Sequence, residues 1–346
     1  RQAGLGVSGQ SNSDNVAIGY RALYGVTTGH ENTVIGKEAA YTLTSADNNV
    51  IIGYQTGYSL TTARYNVLIG DSAGYALSTT SDNNENVMIG NSAGRNADAD
   101  TNAAHYNVYI GSGAGYYMDD GDSNVYIGRE AGKGSGTGNN ATQNILIGYQ
   151  AGLAISTADG IVAIGSQAGT ALTTGGGNTA IGFKAGFSLV DDAYNTFVGF
   201  QAGMMTEGGA DAANVYIGYL AGYQVDDGVG NVAIGREAME SSTAGGNDAS
   251  YNVAIGDRAM EAVTDSDNNI AIGYKTMLVH TGGARNIAIG AEAMDDTDSG
   301  SDSLSSEDNM FIGYRAGSGT WQNATSNRNV AIGNYTMDSA LDAALD

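Results

Sequence analysis

Hydrophobic and polar positions alternate along the chain in one recurring phrase, a short apolar run closed by glycine and followed by a polar stretch. It is complete in Asn49-Val50-Ile51-Ile52-Gly53-Tyr54-Gln55-Thr56-Gly57-Tyr58. With the glycine after Ile (once Val) as origin there are eighteen copies, at Gly19, Gly36, Gly53, Gly70, Gly90, Gly111, Gly128, Gly148, Gly165, Gly182, Gly199, Gly218, Gly235, Gly256, Gly273, Gly290, Gly313 and Gly333. The base spacing is 17 residues, and every extension up to 23 falls between the end of the phrase and the next Asn. Self-similarity at this period predicts a solenoid. The extensions, such as 76–85, 96–106 and 296–308, are rich in Ser, Thr, Asp, Asn and Gly, the composition of solvent-exposed loops.

Within each copy the apolar run is short and mostly β-branched, and turn formers bound it, which predicts a strand. Glycine at every origin, and at many positions four residues later, would cost a helix interior about 1 kcal/mol each, and no stripe of helical period links the copies. The period-2 alternation of a strand separates two faces. Val50 and Ile52, with Thr56 (Ala in most copies) further on, are assigned to the inside of the coil. The intervening position, Ile51 here and Ala, Val, Leu, Met, Tyr or Phe elsewhere, is assigned to the outside. Because it is never polar, that outer stripe predicts an oligomer packed about it.

Other columns have structural readings. Asn stands four residues before the origin in seventeen of the eighteen copies, with Ile161 the exception, and predicts a stacked amide ladder. The origin glycine marks a conformation or close approach that a Cβ forbids. Tyr24, Tyr41, Tyr58, Tyr75, Tyr116, Phe187 and Tyr223 share the fifth position after the origin, an aromatic stripe read as packing rather than a sugar-stacking platform. From Gly235 onward Met239, Met260, Met277, Met294 and Met337 replace a glycine of the earlier copies. This predicts a thicker or differently packed segment, or simple repeat drift.

Composition sharpens the picture. The chain has 346 residues, 53 of them glycine, no proline, no cysteine and a net charge of −23. The glycines recur at fixed places, so they argue for order and not for a linker. The absence of cysteine removes disulfides and thiolate metal sites. The negative charge disfavours nucleic acid backbones and anionic membranes, and no apolar run reaches the ~20 residues of a membrane span. Residues 1–346 read as one continuous array without an internal boundary. Arg1-Gln2-Ala3-Gly4 matches the phrase just after its glycine, so the array reads as part of a longer protein.

No catalytic, cofactor-binding or metal residue is assigned. Gly4-Leu5-Gly6-Val7-Ser8-Gly9 fits the dinucleotide pattern by letter but lacks its βαβ context. Gly128 to Lys133 is one residue short of a phosphate loop, with Gly134 where a hydroxyl is required. His30, His105 and His280 are scattered through the polar stretches. Asp119-Asp120-Gly121-Asp122, Asp226-Asp227 and Asp295-Asp296 with Asp298 are candidate Ca²⁺ ligands, although a solvated acidic turn is the simpler reading. Asn140-Ala141-Thr142 and Asn323-Ala324-Thr325 are glycosylation sequons.

The string Asn66-Val67-Leu68-Ile69-Gly70-Asp71-Ser72-Ala73-Gly74-Tyr75, repeated over nearly the whole chain, resembles the YadA-like head repeats of trimeric autotransporter adhesins. It is closer still to the related repeats of bacteriophage tail fibres and large surface proteins. The resemblance implies an all-β, left-handed parallel β-roll with three chains about a common axis and a role in attachment. The expectation is a non-enzymatic fibre shaft or head of about eighteen coils, extracellular, at a cell surface or on a virion. Its partners would be further copies of itself and a cell-surface glycan or protein receptor, without nucleic acid or membrane insertion. The alternatives are a glycan-, surface- or ice-binding solenoid, disfavoured for ice because the Thr pairs (Thr27-Thr28, Thr61-Thr62, Thr79-Thr80) do not stay in phase, and a polysaccharide-degrading solenoid, disfavoured because acids recur in all the loops.

Overall fold

The computed structural model describes residues 3–4, 11–77, 84–96, 104–136, 138–206, 212–241, 248–295, 306–319 and 326–339. Contacts group the chain into two units, Arg1–Gly176 and Gly177–Asp346. Each is a parallel β-solenoid. The first carries β1 (Val16–Ile18), β2 (Thr33–Ile35), β3 (Val50–Ile52), β4 (Val67–Ile69), β5 (Val87–Ile89), β6 (Val108–Ile110), β7 (Val125–Ile127), β8 (Ile145–Ile147) and β9 (Val162–Ile164). The second carries β10 (Thr179–Ile181), β11 (Thr196–Val198), β12 (Val215–Ile217), β13 (Val232–Ile234), β14 (Val253–Ile255), β15 (Ile270–Ile272), β16 (Ile287–Ile289), β17 (Met310–Ile312) and β18 (Val330–Ile332). Each strand is the three-residue apolar run before an origin glycine. Within each unit consecutive strands pair parallel and in register, so like positions stack into columns. Loop extensions leave this register unchanged, as where Val67 pairs with Val87.

The strand faces are the reverse of the sequence expectation. Ile51 is 0% exposed, whereas Val50 and Ile52 are half-buried. The same alternation holds from β2 through β17, and even the large middle side chains of Tyr109, Tyr126, Phe197, Tyr216 and Phe311 are enclosed. The physical reason is packing. Alternation permits either face to turn inward, and the middle column, whose side chains run from Ala254 to Tyr126, is the one that fills the enclosed space, so it was apolar because it is the core. Thr56 and the alanines of its column are buried as expected.

Filling of the core explains the methionines. A Cβ added to Gly132 would meet Tyr126 Cδ2 at 2.4 Å, one on Gly203 would meet Phe197 Cε2 at 2.5 Å, and one on Gly222 would meet Tyr216 Cδ2 at 2.3 Å. This fourth position after the origin therefore points at the middle side chain of its own strand. Where the middle residue is large, the fourth is glycine. Where the middle residue is Ala17, Ala233, Ala254, Ala271 or Ala288, the fourth is Leu23, Met239, Met260, Met277 or Met294, each fully buried. One volume is filled from either end, as close packing requires. The segment is not drift; it is the same core filled from the opposite side. Two coils depart from the rule, Ala163 with Gly169 and Ala180 with Gly186; a Cβ on Gly169 would meet only Ala163 Cβ, at 3.7 Å, whereas one on Gly186 would meet Leu189 Cδ1 at 2.7 Å and Phe197 Cδ2 at 3.1 Å.

Two devices lock coil to coil. Within each unit the origin glycines, Gly19 to Gly148 in the first and Gly182 to Gly313 in the second, face the backbone of the next coil, and Gly128 is typical: its φ is 138°, a region open essentially to glycine alone, and a Cβ would lie 2.3 Å from Gly148 O. The Asn column forms the expected ladder. Asn124 N–H and Nδ2–H both donate to Asn107 Oδ1 (3.0 and 3.1 Å), and Nδ2 also donates to Ala141 O at 2.8 Å. One buried amide thus satisfies the strand start and the loop of the neighbouring coil, groups that would otherwise be costly to bury. At Ile161 only the backbone N–H reaches Asn144 Oδ1, at 2.8 Å, and the side-chain link is missing.

Candidate functional site

The regular columns determine what the surface can do. Outward from the strands run two apolar columns, the first and third residues of each. Among the eighteen strands these hold Val, Ile, Met or Thr and never a charge. They are half-buried in most coils and exposed at Val16, Ile18, Ile145, Ile181, Ile217, Ile289, Val330 and Ile332. Two residues further on, continuing the alternation past the glycine, stand exposed aromatics including Tyr20, Tyr54, Tyr149, Tyr274 and Tyr314. Phe183, Phe200 and Tyr219, 40–47% exposed, stack with centroids 5.2 and 5.4 Å apart.

The predicted aromatic stripe is a stack. Tyr24, Tyr41, Tyr58 and Tyr75 lie 5.1–5.2 Å apart with interplanar angles of 4–11°. Arg95 takes the next place in the column, its guanidinium 5.3 Å from the Tyr75 ring and 5.8 Å from that of Tyr116, with Nη1 donating to Tyr116 Oη at 2.7 Å. Ring faces covered by neighbouring rings are not open to a sugar, so the stripe stabilises the coil edge.

The candidate ligand residues do not converge. His30 is exposed, with Nε2 3.5 Å from Asp47 Oδ1, while His105 Nδ1 accepts from the Asn84 N–H at 3.3 Å. His280 is buried, its Nε2 3.3 Å from Asn286 Nδ2 of the ladder. In the Asp119–Asp122 turn, Asp119 accepts from the Gly138 N–H and Asp122 from the His105 N–H (2.7 Å). Asp122 belongs to a column the sequence reading missed. Asp47, Asn84, Asp159, Asp267 and Asn327 stand at the same place and accept a backbone N–H from the preceding coil. Asp227 is raised above the usual carboxylate range by burial and by Asp226 and Asp248. Gly128 is an origin glycine stacked on Gly148 and not a phosphate loop. Asn140 is exposed. Asp296, Asp298, Asn323 to Thr325, Thr79, Thr80 and residues 5–9 lie outside the described residues.

Two acidic features also went unread. Asp192 is fully buried at a corner where the other described coils carry Ala, Gly or Ser, and both carboxylate oxygens lack a hydrogen-bond partner. Burial, with Asp191 close by, raises its pKa to about 7. Glu237, Glu240 and Glu261 bring one oxygen each within 4.8 Å of one another, the one such group among the described residues. Their signal was the column itself, since Glu240 and Glu261 occupy the place that Tyr24 to Tyr75 hold in the first unit.

Columns of packing residues, an amide ladder and an uncharged outward strand face define a β-solenoid repeat protein. No protein-family profile, no curated protein and no solved structure matches the chain.

Proposed function

We propose that the chain is a non-enzymatic structural segment of a homo-oligomeric fibre, one that extends and presents attachment surfaces outside a cell or on a virion. The carrying observation is the outward strand face, two apolar columns without a single charge in a chain of net charge −23. Full burial of a Val or Ile side chain corresponds to about 60–120 Å² at 25 cal/mol per Å². With about a quarter of each left in water, nine coils with two outward residues leave roughly 300–500 Å² open in each unit. That already matches the roughly 300–600 Å² of the largest apolar patch on a typical monomer, and the neighbouring exposed aromatics extend it toward the ~800 Å² one partner contributes to a standard interface.

Acids, glycines and Asn residues are distributed by column, so chemistry is not concentrated in one coil as an enzyme requires. The resemblance to trimeric adhesin heads and tail-fibre repeats supports three copies, and multivalency would then strengthen weak individual contacts to a glycan or protein receptor. Light scattering tests the reading. The chain should have the mass of an oligomer, three copies on this proposal, and Val253→Lys with Ile255→Lys should reduce it to one copy while circular dichroism stays that of a β-protein. A monomeric parent chain, or an unchanged mass in the variant, would refute it.

A further inference from the structure

In the parallel register of β13 and β14, Glu240 and Glu261 are the fifth residues after successive origin glycines and stack on neighbouring coils, with Glu237 beside them. All three are partly buried. With Asp257 they bring four negative charges, against two from Arg236 and Arg258, an excess of two. Arg258 pairs with Glu261 through Nε and Nη2 (2.7 Å for the latter) and comes within 3.6 Å of Glu237. Arg236 holds Asp257 at 2.8 Å and Glu237 at 3.0 Å. Neither arginine is bonded to Glu240, whose pKa is raised by burial and by Glu237 and Glu261.

A second observation points into the same place. Ser241 is 4% exposed, and its Oγ has no hydrogen-bond partner. It lines a hollow of about 340 Å³ together with Glu240, Glu261, Tyr223 and Gln224. A buried hydroxyl without a partner is costly unless something else meets its lone pairs. The available donors are all oxygens, with no thiol or imidazole among them, which selects a hard cation over zinc or copper. Calcium accepts carboxylates, hydroxyls and water in a flexible shell of 6–8 oxygens.

We propose that Glu237, Glu240, Glu261 and Ser241 Oγ form a divalent-cation site of calcium type, completed by water, in which the ion cancels the excess of two charges. Arg258 stays as a fixed positive neighbour, so affinity falls in the weak range of extracellular calcium modules, about 10⁻⁴–10⁻³ M. The site stitches two successive coils together at their edge. It does not depend on the fibre reading, since the four residues belong to one chain.

The test uses the full chain, first stripped with chelator and then titrated with CaCl₂, followed by melting temperature and by tyrosine-sensitised terbium luminescence with calcium as competitor. The parent chain should melt higher in calcium and should bind terbium that calcium displaces. Glu240→Gln should lose at least about tenfold in affinity, because ligand charge sets it. In chelator, Glu240→Gln should melt no lower than the parent, since a crowded carboxylate has been removed. These opposite responses separate a ligand from a structural residue. A parent chain indifferent to calcium would overturn the site, as would Glu240→Gln, alone or with Glu261→Gln, binding like the parent.

Discussion

Reciprocal filling of the core makes a quantitative prediction. In the coil of β7 the space is taken by Tyr126 opposite Gly132, and in the coil of β14 by Met260 opposite Ala254. Gly132→Met drives a Cβ to 2.4 Å from the Tyr126 ring. Overpacking of this kind costs about 1–3 kcal/mol. A side chain at φ 54° adds about 1–2 kcal/mol, a cost Met260 already bears at the same φ. Tyr126→Ala alone opens a cavity worth about 3–5 kcal/mol. Independent effects would sum to about 5–10 kcal/mol. The double variant instead recreates the pairing found at β14, keeping the backbone cost and losing the stack with Tyr109, worth about 0.5–1.5 kcal/mol. Its total cost should be about 2–3 kcal/mol, a coupling of about 3 kcal/mol or more. Long repeat arrays need not unfold in one step, so the readout is native-state hydrogen exchange at Val125–Ile127, with Ile287–Ile289 as internal reference. A double variant as unstable as the sum of its parts would refute the shared volume.

Other columns give sharper single-site effects. Gly128→Ala places a Cβ against Gly148 O in a conformation reserved for glycine, and should cost about 3 kcal/mol or more, read as loss of soluble protein or a much lower melting temperature. Asn124→Leu leaves the Asn144 N–H and the Ala141 carbonyl without their partner and should cost about 2–4 kcal/mol by exchange at the flanking strands. Asp192 has a folded pKa of about 7, above its ordinary value, so the stability its protonation supports is complete below pH ~4 and lost as pH rises through about 7. Asp192→Ala should flatten melting temperature between pH 4 and 8 and exceed the parent at pH 8, by at most about 4 kcal/mol. A parent chain whose stability is level across that range would contradict this.

The sequence placed the strands, the Asn ladder and the origin glycines because each of these is set by backbone geometry that repeats from coil to coil, with Ile161 the one break in the Asn column. It did not place the strand faces, because Val50, Ile51 and Ile52 are all apolar and alternation alone has no sign. The deciding clue was variability in volume. Ile52 and its column are almost uniformly Ile, while the column of Ile51 runs from Ala to Tyr and is offset by Gly57 or Met260 on the opposite side, as only a packed interior requires. The left-handed positions were hidden for a different reason. Gln55, Tyr65, Arg258 and Met260 all adopt positive φ without being glycine, since hydrogen bonds between coils hold the backbone there. The Glu237, Glu240 and Glu261 group is invisible in linear order, because its members meet only through the stacking of two coils.

Exchanging the faces moves the proposed interface from the middle column, which holds Ala254, to the outward columns, which hold Val253 and Ile255. Ala254 is fully buried, so Ala254→Asp would disrupt the core whether or not partners exist and cannot test association. The chain has no cysteine, so single thiols can be introduced without background, and cross-linking from Ile255→Cys is the most direct measurement of the outward face. Mild oxidation should join copies of the Ile255→Cys variant through disulfides, and Ala254→Cys should stay reduced and resist labelling until the chain unfolds. If Ile255→Cys instead remains monomeric and labels at the rate of a free thiol, the outward face has no partner copy and the fibre account fails.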